Sequence, residues 1–179
     1  MNIISIGDSW GKVVAGGGTA WPETLGIRNL NVSGSRAEEW ANNKNNWLSN
    51  AQECKADIVI VSLMGNDYMA ALQDGVISPL EIFSGLHSMK TVVTAMLPAK
   101  IIVLLYADPF NGKDDRSNIA LPILNAAIRF SCIGLPVAIV DSSLFLTSIH
   151  FDGKDIHPNQ LGHQTIADTM SGMLYSFAG

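Results

Sequence analysis

Basic residues are scarce in this sequence. Eleven lysines and arginines stand against sixteen aspartates and glutamates, for a net charge of −5 over 179 residues. Such a balance lacks the electrostatic footprint of nucleic-acid binding, and no nucleic-acid partner is expected. Cysteine is scarcer still: Cys54 and Cys132 show no motif spacing and read as ordinary buried or half-buried thiols. The four histidines are scattered, so no metal-ligand cluster of the zinc type is expected. Long apolar runs are missing too. The longest, Ile58–Met64 and Ile101–Tyr106, are strand-sized and far short of the ~20 residues a membrane-spanning helix needs. Met1–Ile6 has no basic start and reads as a strand rather than a secretory signal. The cytoplasm is then the default expectation, with a mature or virion-associated form as the alternative. No repeat, low-complexity tract or linker interrupts the chain.

What is present is apolar. Hydrophobic residues make up 47% and charged residues 15%, which excludes global disorder. The length suits one domain over residues 1–179, burying roughly 70% of its unfolded surface. Short apolar runs at Ile3–Ile6, Asn29–Val32, Ile58–Leu63, Ile101–Tyr106 and Pro136–Val140 alternate with helix-length segments. Their nearly continuous, β-branched character suits strands buried on both faces. Helices are expected at Arg36–Asn50, Pro79–Leu97, Ser117–Cys132 and about Gln160–Phe177, with Ser35 capping the first and Ser78-Pro79 opening the second. This alternation predicts a three-layer α/β/α sandwich of flavodoxin-like order around a five-stranded parallel sheet.

Sheets of that kind place ligands beyond the carboxyl ends of their strands. Gly7-Asp8-Ser9 follows the first strand, Ser33-Gly34-Ser35 the second and Gly65-Asn66-Asp67 the third. After the fifth comes a segment, Asp141 to Asn159, too long and polar for a plain connection, which ends in Asp155-Ile156-His157. A serine hydroxyl needs a base to become a nucleophile, and His157 is the histidine in a strand-end loop with carboxylates beside it. Asp155 and Asp152 are the candidates to orient its ring. Gly34 N–H and the Asn66 amide are candidate donors to an oxyanion. Together these are the ingredients of acyl transfer.

Gly7-Asp8-Ser9-Trp10, Asn31-Val32-Ser33-Gly34-Ser35, Gly65-Asn66-Asp67 and Asp155-Ile156-His157-Pro158-Asn159 resemble, in order and spread, blocks I, II, III and V of the SGNH (GDSL-type) hydrolase superfamily. Ser9, Gly34, Asn66 and His157 match the four residues that name it. The resemblance implies a flavodoxin-like fold and a serine esterase acting on small acyl esters, acetyl esters included, of a small molecule or glycan. It implies Ser9 as nucleophile and His157 as base. Ser9 N–H, Gly34 N–H and Asn66 would form the oxyanion hole, and no metal or organic cofactor would be needed. A catalytically weak or inactive module of the same fold, binding carbohydrate or serving an assembly, is the alternative.

Two positions depart from the pattern. Met64 stands where block III has its first glycine, with Gly65 expected to preserve the flexibility of that turn. Lys154 stands where block V has its aspartate, three residues before the histidine. Either Asp155 takes that role, the favoured reading, or Asp152-Gly153 does so across an insertion, or the site is a Ser–His dyad. Asp155 is favoured because two residues of extended chain point their side chains to the same side. Asp8 and Asp67 read as braces rather than reacting groups. Trp10, where the family often has leucine, reads equally as a wall of the substrate pocket or as a packed residue. His163 reads as a surface or packing residue of the last helix. Gly16-Gly17-Gly18 lacks the ending of a phosphate loop.

Overall fold

The computed structural model describes residues 1–71, 78–109, 121–153 and 155–178. Five strands, β1 (Ile3–Gly7), β2 (Arg28–Asn29), β3 (Ile58–Ser62), β4 (Lys100–Leu105) and β5 (Val137–Asp141), form one parallel sheet in the order β2-β1-β3-β4-β5. This is the flavodoxin-like order expected from the sequence. β3 and β4 lie at the centre, and every residue from Ile58 to Ser62 and from Ile101 to Leu105 is buried. Burying each of their larger aliphatic side chains stabilises the fold by roughly 1.5–3 kcal/mol. β5 is an edge strand and mostly half-buried.

Among the described residues, seven α-helices cover the two faces: α1 (Trp21–Thr24), α2 (Ala37–Ala41), α3 (Trp47–Glu53), α4 (Gly65–Ala71), α5 (Pro79–Ala95), α6 (Leu121–Ser131) and α7 (Gln160–Ala178). α1 packs with α7, while α2, α3, α4 and α6 gather around α5. On α7 the buried residues His163, Ile166, Ala167, Met170 and Leu174 recur every three or four positions, which gives one stripe facing the core.

The sequence reading needs four corrections here. The expected helix Arg36–Asn50 is broken, because Asn43, Asn45 and Asn46 take left-handed φ of 54°, 49° and 61°. Asparagine tolerates that region better than other non-glycine residues, so Asn42–Asn46 is a joint between α2 and α3 rather than part of one continuous helix. Ser35 does not cap α2: its hydroxyl donates to Gly7 O and accepts from the Trp40 indole. Asp67 caps α2 from across the fold, its carboxylate accepting from Ala37 N at 2.9 Å. Gly65-Asn66-Asp67, expected as a turn, opens the short helix α4, and α1 forms where no helix was expected. Residues 117–120 of the expected third long helix lie outside the described residues. Ser78 does cap α5, accepting from Glu81 N.

Candidate active site

β1 and β3 end in register, Gly7 opposite Ser62, so the turns that follow them emerge side by side. Gly7 is required there: a Cβ at this position would lie 1.9 Å from Ser62 O. Asp8 N donates to Ser62 O at 2.8 Å, and the chain then tightens into a 3-10 turn, Ser9–Gly11. Below it, Asn31 donates to Ser5 Oγ at 2.7 Å and closes a buried polar cluster.

Asp8 braces this turn, as expected. Its Oδ1 accepts from Trp10 N, while Oδ2 accepts from Gly65 N and from the Tyr106 hydroxyl. One carboxylate thereby ties the end of β1 to the start of α4 and the end of β4. Burial raises the pKa of Asp8 to about 6 despite these donors. Burial and the nearby Asp8 charge hold the Tyr106 phenol protonated, as its donor role demands. Tyr106 was missed at the sequence level. A lone hydroxyl ending the apolar run of β4 at the carboxyl edge was the available signal.

Ser9 Oγ lies 2.8 Å from His157 Nε2, and His157 Nδ1 lies 2.5 Å from Asp155 Oδ1. The same Asp155 oxygen accepts from His157 N at 3.0 Å. That is an Asx-turn, in which a side chain bonds the backbone two residues on. It brings a carboxylate two positions before the histidine under the imidazole, a reach explained by the turn and not by the extended chain assumed from the sequence. Burial acts to raise the Asp155 pKa, but the His157 backbone N–H and ring outweigh it and leave the carboxyl below its ordinary value. Asp152 lies elsewhere, accepting from Asn159 Nδ2 at 3.2 Å. Lys154 lies outside the described residues.

Asn66 is the second residue of α4, and its Nδ2 donates to Ser35 O at 3.0 Å, which ties it to the turn carrying Gly34. Gly34 takes φ of 78°, a conformation that favours glycine. In block III the positive φ of 100° falls on Met64 itself rather than on Gly65, which is already helical. The positive φ that a glycine would accept is thus borne by Met64.

Ser9 and Asn66 open onto a cavity of about 60 Å³. Its lining is mainly apolar, with Trp10, Tyr106, Met69, Leu124 and Ile156 among its walls. Trp10 lines this cavity and is also packed, edge-on to Tyr106 at 4.8 Å. His163 is a packing residue, fully buried and not at the surface. Its Nδ1 accepts from Trp21 N, and Nε2–H donates to Val13 O. His150 is likewise buried, and its Nδ1 accepts from Thr147 N. Among the described residues no group of three His, Cys, Asp or Glu side chains converges to hold a metal. No described helix is long and apolar enough to cross a membrane.

No protein-family model and no curated protein matches the sequence. Solved structures do match the fold. An acetylxylan esterase from Geobacillus stearothermophilus is similar with a TM-score of 0.72 at 16% identity, over 94% of this chain and 91% of that one. A carbohydrate esterase family 3 protein from Talaromyces cellulolyticus is similar with a TM-score of 0.71 at 21% identity, over 99% and 98%. An alpha/beta hydrolase enzyme from the metagenome of Lake Arreo, Spain, is similar with a TM-score of 0.69 at 17% identity, over 94% and 92%. Described catalytic mutants of the Geobacillus esterase replace a serine in one case and a histidine in another by alanine. The chain therefore shares the α/β fold of these proteins along nearly its whole length.

Proposed function

We propose that the protein is a serine esterase of the SGNH type that hydrolyses small acyl esters, with acetyl esters of carbohydrates as the leading substrate class. The contact chain Ser9–His157–Asp155, at 2.8 and 2.5 Å beside a small apolar cavity, carries this reading. With Nδ1–H donated to Asp155, the neutral imidazole has Nε2 free to accept the Ser9 proton. Ser9 Oγ attacks the ester carbonyl as His157 takes that proton. The oxyanion is held by Ser9 N–H, Gly34 N–H and Asn66 Nδ2–H. Collapse breaks the ester C–O bond, and His157 returns the proton to the leaving alcohol. Water then gives a proton to His157 and its oxygen to the acyl carbon, which releases the acid and restores Ser9.

The narrow cavity favours a short acyl group. The similar esterases named for acetylxylan support an acetylated glycan as the alcohol side. The displaced block V aspartate was the main support for an inactive module, and the Asx-turn of Asp155 removes that support. A fluorophosphonate probe tests the proposal, since it labels only an activated hydroxyl. The expected result is stoichiometric labelling of Ser9, with hydrolysis of a short-chain aryl ester abolished in Ser9→Ala. That variant loses about one hydrogen bond, so its Tm should fall by only about 2–4 °C. An unlabelled native protein, or a Ser9→Ala variant within tenfold of wild-type activity, would reject the serine mechanism.

A further inference from the structure

The indole of Trp10, the residue after Ser9, donates from Nε1 to Ile156 O at 3.0 Å, across 146 positions of sequence. Ile156 C=O and His157 N–H belong to one peptide group, which is planar and rigid. Trp10 grips that plane by its oxygen, and Asp155 grips it by its N–H at 3.0 Å. Both ends of the peptide that leads into His157 are therefore held.

Trp10 is itself fixed mainly from outside the base loop, although its ring also lies 6.1 Å from that of Phe151 in the loop. Its backbone N–H donates to Asp8, and its buried ring lies edge-on to Tyr106 at the end of β4. From outside the loop, Ala15 N also donates to Pro158 O at 3.0 Å, one residue past the histidine. We propose that Trp10 is a positioning residue whose indole N–H sets the direction from which His157 approaches Ser9. This rests on the serine esterase reading given above. A misplacement of about 1 Å at reacting groups can cost on the order of 10²-fold in rate, so one bond at this peptide has leverage.

Trp10→Phe keeps an aromatic wall on the cavity and deletes the N–H. The expected result on a short-chain aryl ester is a roughly tenfold or greater fall in kcat with KM within about twofold. The rate of fluorophosphonate labelling of Ser9 should fall in parallel. Because Trp10 and Asp155 hold the same peptide, their losses should not add: in the Asp155→Asn background, Trp10→Phe should cost clearly less than in wild type. A packing role alone predicts additive effects and a fall in Tm without the kcat-against-KM split. A kcat within twofold of wild type, or full additivity, would overturn the proposal.

The wild-type protein supplies a reading that needs neither a foldable variant nor activity. The Trp10 indole N–H should exchange slowly with deuterated solvent, and fast exchange would overturn the strut. A protein that fails to label Ser9 while this N–H stays protected would reject the esterase reading and leave the strut itself in place.

Discussion

Ser9 and His157 meet at 2.8 Å but are held from opposite directions, one by the sheet and the other by a loop. The serine stands on a turn that Asp8 ties by buried hydrogen bonds to the ends of β1, β3 and β4. The histidine stands on a loop bound by Trp10, by Ala15 and by its own Asx-turn. The two carboxylates follow the same division. Asp8 is fully buried and its pKa is raised, whereas the side chain of Asp155 is 43% exposed and its pKa is lowered. A buried acid surrounded by donors fixes geometry at a cost in desolvation. A shallow one beside an imidazole can stay charged and stabilise a positive ring. Removing either should therefore fail in a different observable.

The largest effect is expected on the loop side. Asp155→Asn keeps shape but can present an N–H to His157 Nδ1 and so select the wrong tautomer. A fall in kcat of up to ~10⁴-fold is expected. Asp152→Asn touches only the contact with Asn159 and should stay within about twofold of wild type. Steady-state kinetics on an aryl ester checks both. Equal losses would mean that the loop rearranges and that the division drawn above is false.

The sheet side should answer to pH through stability. Asp8 has a folded pKa of about 6 against an ordinary 3.8, so between those values the native state binds more protons than the unfolded state. Stability then falls as pH rises through that window, by about 3 kcal/mol in all, since each pKa unit is worth about 1.4 kcal/mol. Asp155, with its pKa lowered, acts with the opposite sign: its contribution is present above the ordinary carboxylate range and is lost on acidification below it. Its exposure keeps that contribution small. Denaturant melts from pH 4 to 7 should show this slope in wild type and in Asp155→Asn, and a much smaller one in Asp8→Asn. There buried Asp67, its pKa also raised, still acts with the same sign, and buried His163, its pKa lowered, with the opposite sign. A slope that survives Asp8→Asn undiminished would assign it to another group.

The strands were legible because β3 and β4 are continuous β-branched runs, and the strand-end rule then gathered Ser9, Gly34, Asn66 and His157 at one edge. What escaped the sequence was conformation that depends on tertiary neighbours. Tyr106 belongs to no motif and gains its place only because Asp8 lies across the sheet. Ser35 looked like a cap, yet Trp40 and Gly7 claim its hydroxyl. Asp155 was reached through the wrong local geometry, since an Asx-turn and an extended chain offer the same two-residue spacing. The joint at Asn42–Asn46 was visible as composition, but polar residues on a helix face have the same composition.

The smallest expected effect is the difference between two variants of Met64, where the sheet side stores strain. Its φ of 100° costs a non-glycine residue roughly 1–2 kcal/mol, yet its side chain is 1% exposed and packs against Gly85. Met64→Ala removes the packing and keeps the strain, so a loss of roughly 2–5 kcal/mol is expected. Met64→Gly removes both. In most strands and helices glycine is worse than alanine by about 0.5–1 kcal/mol, because the unfolded chain gains freedom. Here the order should invert, with Met64→Gly the more stable of the two by about 1 kcal/mol in denaturant unfolding. Both variants should still be labelled at Ser9 by the fluorophosphonate, since Asp8 rather than Met64 ties the start of α4 to the nucleophile turn. If Met64→Ala proves the more stable, the positive φ carries no strain. The glycine missing from block III would then be a substitution that this fold accepts without cost.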